Sequence, residues 1–96
     1  MLQCLTKILT NKLFFLHPKK RYVYAVTGGV YLGELLVYME SKNNTYFFLT
    51  LPDMKVRSIP IEKFKFGLKE HIVDVVEKLP IYAYKACTAQ YIKNNT

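Results

Sequence analysis

Residues 21–51 read RYVYAVTGGVYLGELLVYMESKNNTYFFLTL, and this stretch decides the fold. It contains three runs rich in Tyr, Val, Phe, Leu and Thr, the residue types that favour half-buried strands. Two turn signals separate the runs, TGG at residues 27–29 and SKNN at residues 41–44. The pattern predicts a three-stranded antiparallel meander that the rest of the chain closes or covers.

The glycines set where the predicted strands turn and bend. Gly28 and Gly29 permit the positive φ that a tight hairpin needs, and Gly33 marks a bulge or a sharp bend inside the second strand. Both faces of the first strand are largely apolar, which indicates that the sheet is covered on both sides. The three predicted strands cover residues 22–27, 30–40 and 45–51.

The N-terminal segment completes one predicted domain of residues 1–96, a length that suits a single modest core. Leucines recur at helical spacing through residues 1–17, which predicts an amphipathic segment packed on the domain. Residues 12–16 fit a short strand equally well.

The C-terminal half carries the clearest helical pattern of the chain. Apolar residues at helical spacing predict a helix over residues 68–79, in which Val76 faces the sheet. Pro80 ends this helix. Two further strands are predicted around it, a fourth strand near residues 55–61 and a closing strand at residues 81–92.

The segment VTGGVYLGELLV at residues 26–37 resembles the hairpin of KOW-type SH3-like barrel modules. Those modules carry a glycine at the turn, another glycine a few residues later and then an apolar strand. Gly29, Gly33 and Val37 match that layout, and the resemblance covers residues 21–61. The family includes modules of ribosomal proteins and transcription factors, so the resemblance implies RNA or RNA polymerase as a partner.

The residue patterns and this resemblance together predict the fold class. We expect a small α+β domain built on a strongly bent antiparallel sheet or SH3-like barrel. One helix at about residues 68–79 and the N-terminal amphipathic segment complete it.

Charge is distributed unevenly along the chain. The net charge is +7, and residues 1–33 contribute five bases with no acid, whereas residues 34–96 contribute nine bases and seven acids. A basic N-terminal third indicates an anionic partner such as nucleic acid or an acidic protein face. The same excess also fits a role in solubility alone.

The basic residues form two groups, one at residues 19–21 and one along the fourth predicted strand. Lys55 and Arg57 alternate with Val56, so a strand would place both on one face, and convergence of the two groups would make one positive patch. Nearby tyrosines offer rings on which bases stack, although core packing accounts for most of the eight tyrosines. The candidate binding residues are Lys19, Lys20, Arg21, Lys55, Arg57, Lys63, Lys65, Tyr22, Tyr31 and Tyr46.

The sequence contains no recognisable catalytic or metal-binding motif. Nucleophile–base pairs can be drawn between Cys87 and His71 or between Cys4 and His17. Cys87 falls in an apolar predicted strand, where a buried thiol is unreactive, and the carboxylates show no pairing that would tune a general acid. We therefore expect no enzymatic activity, no cofactor and no metal.

The two distant cysteines fit free thiols in a reducing compartment. No apolar run approaches the length of a membrane span, and the N-terminal segment lacks the pattern of a signal peptide. These features predict a cytoplasmic protein without membrane attachment.

Two functions fit these observations. The first is a small binding module of the phage or mobile-element type that binds nucleic acid, with RNA favoured, or a nucleoprotein machine through a basic face. The alternative is a phage-type inhibitor or anti-defence protein that blocks a host protein by direct contact, for which aromatic residues and a free sheet edge are suitable material. The apolar stripe of residues 1–17 also fits a homodimer.

Overall fold

The structure is a computed structural model that describes residues 17–95 of the chain. The domain is α+β, with one five-stranded antiparallel sheet and two helices in this part of the chain. Residues 1–16 lie outside the described residues, and so do the amphipathic helix or strand predicted there and Cys4. The elements are β1 (Tyr22–Val26), β2 (Leu35–Lys42), β3 (Thr45–Leu51), β4 (Val56–Pro60), α1 (Ile61–Lys69), β5 (Val73–Lys78) and α2 (Ile81–Asn94).

The predicted meander forms the centre of the sheet. The strand order is β4-β3-β2-β1-β5, and every neighbouring pair is antiparallel. Asn43 and Asn44 have φ values of 52° and 58°, the left-handed conformation that a two-residue hairpin turn requires. The turn predicted at residues 41–44 is therefore present between β2 and β3.

The connection between β1 and β2 is longer than the predicted tight hairpin. Gly29 and Gly33 both have positive φ, at 80° and 92°. The Gly33 amide donates to the Val26 carbonyl, and the Val26 amide donates to the Glu34 carbonyl. Because the loop closes at these bonds, β2 begins at Leu35 instead of Val30, and Gly33 belongs to the loop and not to the strand.

Each face of the sheet buries its own apolar cluster. α1 covers the first face and contributes Phe64, whereas α2 covers the second face and contributes Cys87 and Tyr91. The cover expected on both sides of β1 is therefore present. The α1-face cluster comprises Tyr24, Val26, Leu36, Tyr38, Tyr46, Phe48, Ile59, Phe64 and Val73. The α2-face cluster comprises Val23, Val37, Met39, Leu49, Cys87 and Tyr91.

The helix predicted at residues 68–79 is wrong, because residues 73–78 form edge strand β5 and α1 ends at Lys69. β5 pairs with β1, and the register shift between Val23 and Tyr24 leaves Val76 as an extra residue in β5, which is the geometry of a β-bulge. Val76 is 54% exposed and does not face the core. Val73, at 6% exposure, is the valine of β5 that packs in the core.

The closing strand predicted at residues 81–92 is also wrong, because these residues lie in α2. Pro80 does not end a helix as predicted; it is the N-cap residue that immediately precedes α2. Tyr84, Cys87 and Tyr91 recur at spacings of three and four, so they share the helix face that packs on the sheet.

A second bulge shapes β2. The register between β2 and β3 shifts between Tyr38 and Glu40, which places one extra residue, Met39, in β2. Bulges bend a strand and increase its twist. The bulge brings Glu40 to the α2 side, where its carboxylate accepts a hydrogen bond of 2.6 Å from the Tyr91 hydroxyl.

No helix among residues 17–95 has both the length and the apolar character needed to cross a bilayer.

Candidate nucleic-acid interface

Two lysine amines lie close to the ring of Tyr22 at one edge of the sheet. The Nζ atoms of Lys19 and Lys78 are 5.9 Å and 5.7 Å from the ring centroid, within the range of cation–π attraction. Tyr22 and Lys78 are direct partners in the register between β1 and β5. The strand pairing therefore fixes one amine beside the ring, while Lys19 comes from the segment that enters β1.

Arg21 fastens the start of β1 to the residue that follows β5. Its backbone carbonyl accepts a bond of 2.6 Å from the Leu79 amide, and its Nε–H donates to the Leu79 carbonyl at 3.2 Å. Arg21 also has a φ of 75°, a conformation that non-glycine residues rarely adopt.

The segment before Arg21 is anchored by its backbone. The Lys19 amide donates to the Tyr24 hydroxyl at 2.8 Å, and Pro18 is buried. Burial raises the pKa of Tyr24, and the hydrogen bond from Lys19 opposes that rise in part. The backbone of this segment is therefore held in place, while the side chain of Lys20 stays exposed.

We call Lys19, Lys20, Arg21, Tyr22 and Lys78 the basic edge. The acid nearest in β5 is Glu77, which pairs with Val23. Alternate residues of a strand point to opposite faces, so Glu77 is directed away from the face that carries Tyr22 and Lys78. The basic edge therefore combines four cations with one half-buried ring, a set that suits phosphate groups and a stacked base.

The second predicted group of cations is engaged elsewhere. Arg57 donates from Nε to one Glu34 carboxylate oxygen at 2.9 Å and from a terminal nitrogen to the other. Its guanidinium lies 4.8 Å from the centroid of the Tyr31 ring. The hydrogen bonds to Glu34 raise the pKa of Arg57. Arg57 and Tyr31 therefore stabilise the β1–β2 loop, which is a structural role.

The two groups do not form one patch along the sheet. Strands β2 and β3 lie between β1 and β4, and three strand spacings amount to about 14 Å. Lys55 precedes β4 and is exposed, with its backbone tied to Thr50. Along the sheet, Lys55 and Arg57 are therefore separated from residues 19–21 by two strands.

The remaining predicted binding residues lie on α1 and in the core. Lys63 is exposed and Lys65 is partly buried, and both belong to α1. Tyr46 is only 2% exposed and contacts the rings of Tyr38 and Phe64 edge-on. Its position on the α1 face of β3 explains the burial, and this ring is not available to stack on a base.

Sequence reasoning misses Lys78, because the predicted helix puts it on an outer face away from the cations of residues 19–21. The Val-rich run VDVVEK was the available signal, because β-branched residues favour strands. The nucleophile–base pair of Cys87 and His71 is not assembled either. Cys87 lies on the sheet-facing side of α2 at 3% exposure, and burial raises its thiol pKa, whereas His71 lies in the exposed turn between α1 and β5.

No protein-family model matches the chain, and comparisons with curated proteins and with solved structures found no match.

Proposed function

We propose that this protein is a small non-enzymatic module that binds nucleic acid through the basic edge. The proximity of the Lys19 and Lys78 amines to the Tyr22 ring is the observation that supports this most directly. Cations neutralise phosphates without regard to sequence, and a partly exposed aromatic ring can stack on an unpaired base. A single-stranded ligand uses both features, and the KOW resemblance favours RNA over DNA.

The SH3-like part of the proposal has support in the strand arrangement. All five strands contribute to the α1-face cluster, an arrangement that a curved sheet favours. The bulges in β2 and β5 supply such curvature. A partly open barrel is thus a reasonable description of the sheet, although no pairing between β4 and β5 is present among the described residues.

Charge reversal at the basic edge tests the proposal. The variant Lys20→Glu with Lys78→Glu removes four units of charge from exposed positions. The matched control, Lys42→Glu with Lys85→Glu, changes the net charge equally at exposed positions of the β2–β3 hairpin and α2. Fluorescence anisotropy with labelled single-stranded RNA and DNA at several salt concentrations measures both.

We expect the basic-edge variant to bind about tenfold or more weakly, and its salt dependence should flatten by about one unit of slope for each phosphate group that is no longer bound. The control should bind only slightly more weakly than wild type. If both variants lost affinity equally, the loss would reflect the change in net charge and not the position of the lysines. Absence of binding by the wild-type protein at low salt would refute the proposal.

The alternative of a contact inhibitor also has an observation in its favour. Val30 and Phe66 are 91% and 58% exposed and line the same cavity, and exposed apolar groups that lie together mark protein contact sites. Salt separates the two functions, because an apolar protein interface responds weakly to salt while phosphate contacts respond steeply.

A further inference from the structure

A groove lies between the β1–β2 loop and α1, at the end of β1 remote from the basic edge. Val26 and Val73 lie at its base, the loop residues Gly29 and Val30 form one side, and α1 forms the other. The cavity has a volume of about 220 Å³. We call it the loop–helix groove.

Large apolar side chains stand at the mouth of the groove. Val30 on the loop side is 91% exposed, and Phe66 on the helix side is 58% exposed. Both line the groove. Folding gains little from apolar surface that remains in water, so these side chains gain most of their burial only when a partner covers them.

The loop side of the groove is preformed. The Thr27 amide donates to the Ile72 carbonyl at 2.7 Å, which ties the loop to the residue before β5. At the other end of the loop, the Glu34–Arg57 ion pair holds it to β4. A site that is already ordered costs little conformational entropy on binding.

Charge and size define the occupant. Among the described residues that line the groove, Lys63 is the one with a charge, and no acid accompanies it there. The volume is below the roughly 300–1,000 Å³ of typical small-molecule pockets, so it suits one bulky side chain. The net charge of +7 further attracts an acidic partner.

We propose that the loop–helix groove binds an acidic segment of another protein. The segment inserts one bulky apolar side chain between Val30 and Phe66, and a neighbouring carboxylate pairs with Lys63. This inference gives the contact-inhibitor function a site and a partner chemistry. It uses no residue of the basic edge and therefore does not depend on nucleic-acid binding.

Nuclear magnetic resonance of the ¹⁵N-labelled full chain tests the proposal with three synthetic peptides. The probe is acetyl-Glu-Asp-Phe-Leu-Asp-Glu-amide. One control peptide replaces all its acids by lysine, and the other replaces Phe-Leu by Ser-Ser. At millimolar peptide, the probe should shift the amide signals of Gly28, Gly29, Gly67 and Ile72, while both controls shift them much less.

Two variants connect the shifts to the proposed contacts. Lys63→Glu should weaken the probe about three- to tenfold and improve binding of the lysine peptide. Phe66→Ser should weaken the probe about fivefold or more, because it takes an apolar ring out of the groove. The basic-edge variant Lys20→Glu with Lys78→Glu is the control and should leave the Phe-Leu-dependent shifts in place. Both groove substitutions are at exposed positions, so the spectrum of each free variant should remain folded.

Several results would overturn the proposal. No shift at millimolar probe, equal shifts with the acidic and lysine peptides, or shifts confined to Tyr22 and Lys78 would each do so. Groove signals that move with protein concentration in the absence of peptide would identify a second copy of the chain as the occupant instead.

Discussion

Replacing Val73 by alanine should destabilise the domain much more than replacing Val76 by alanine. Val73 is 6% exposed inside the α1-face cluster, whereas Val76 is the bulged residue of β5 and is 54% exposed. The substitution removes two methylene equivalents, about 1.6 kcal/mol at full burial. A residual cavity brings the cost at Val73 to about 2–3 kcal/mol. Less than half of the transfer cost, about 0.7 kcal/mol, applies at Val76.

Thermal unfolding followed by circular dichroism measures this difference. One kcal/mol shifts the Tm of a domain of this size by about 4–8 °C, so Val73→Ala should melt about 10–20 °C below wild type and Val76→Ala within about 6 °C. A helix over residues 68–79 predicts the opposite order, because Val76 would then share the core stripe with Ile72 and Leu79. Equal melting temperatures, or a lower one for Val76→Ala, would refute the strand assignment.

Two further predictions test the β1–β2 loop and the α2 contact. Gly29 has positive φ and a Cβ there meets no atom within 4 Å, so Gly29→Val should lose about 1–2 kcal/mol for backbone reasons alone, while Gly29→Asn, which tolerates that conformation, should lose less in urea unfolding. Burial and the bond to Glu40 raise the pKa of Tyr91 to about 12 from its ordinary 10, so its stabilising effect is complete below pH 10 and declines as pH rises from 10 to 12. Tyr91→Phe should shrink the decline in unfolding free energy over that window without abolishing it, because burial also raises the pKa of Tyr24 and Tyr46; an unchanged decline would exclude a folded-state shift at Tyr91.

The meander could be predicted because its signals are local. Asn43 and Asn44 tolerate the left-handed backbone of a hairpin turn, and the alternation of Phe47, Leu49 and Leu51 assigns one face of β3 to a single cluster. The flanking runs have no competing helical period. Turn chemistry and strand period therefore agree, and the register follows from both.

The C-terminal half is mispredicted because its periodicity is ambiguous. The bulge at Val76 breaks the two-residue alternation of β5, so its apolar residues mimic a helical stripe. In α2, the spacing of Tyr84, Cys87 and Tyr91 is available, but tyrosine is also common in strands. Two features distinguish helix from strand here: the pairing of β5 with β1, and the packing of α2 on the sheet. Both depend on contacts between residues that are distant in sequence.

The same tertiary pairing explains why only half of the candidate interface could be predicted. Residues 19–21 form a visible run of cations, but Lys78 joins them only because β5 returns beside β1. Arg57, by contrast, has the composition of a binding residue and is taken up by Glu34. The sequence does not show which acid a basic residue pairs with. A prediction from the distribution of charge therefore assigns Arg57 of β4 to the binding surface and leaves Lys78 out.

The two proposed surfaces, the basic edge and the loop–helix groove, lie at opposite ends of β1. Tyr22 at its start belongs to the basic edge, and Val26 at its end lies in the loop–helix groove. Four residue steps along a strand amount to about 13 Å, so an acidic segment in the groove leaves Tyr22 and Lys78 uncovered. A short oligonucleotide and the acidic peptide should therefore bind together, each with an affinity that the other changes little. Competition between them would mean that both recognise one surface through charge alone, which would leave the groove without a ligand of its own.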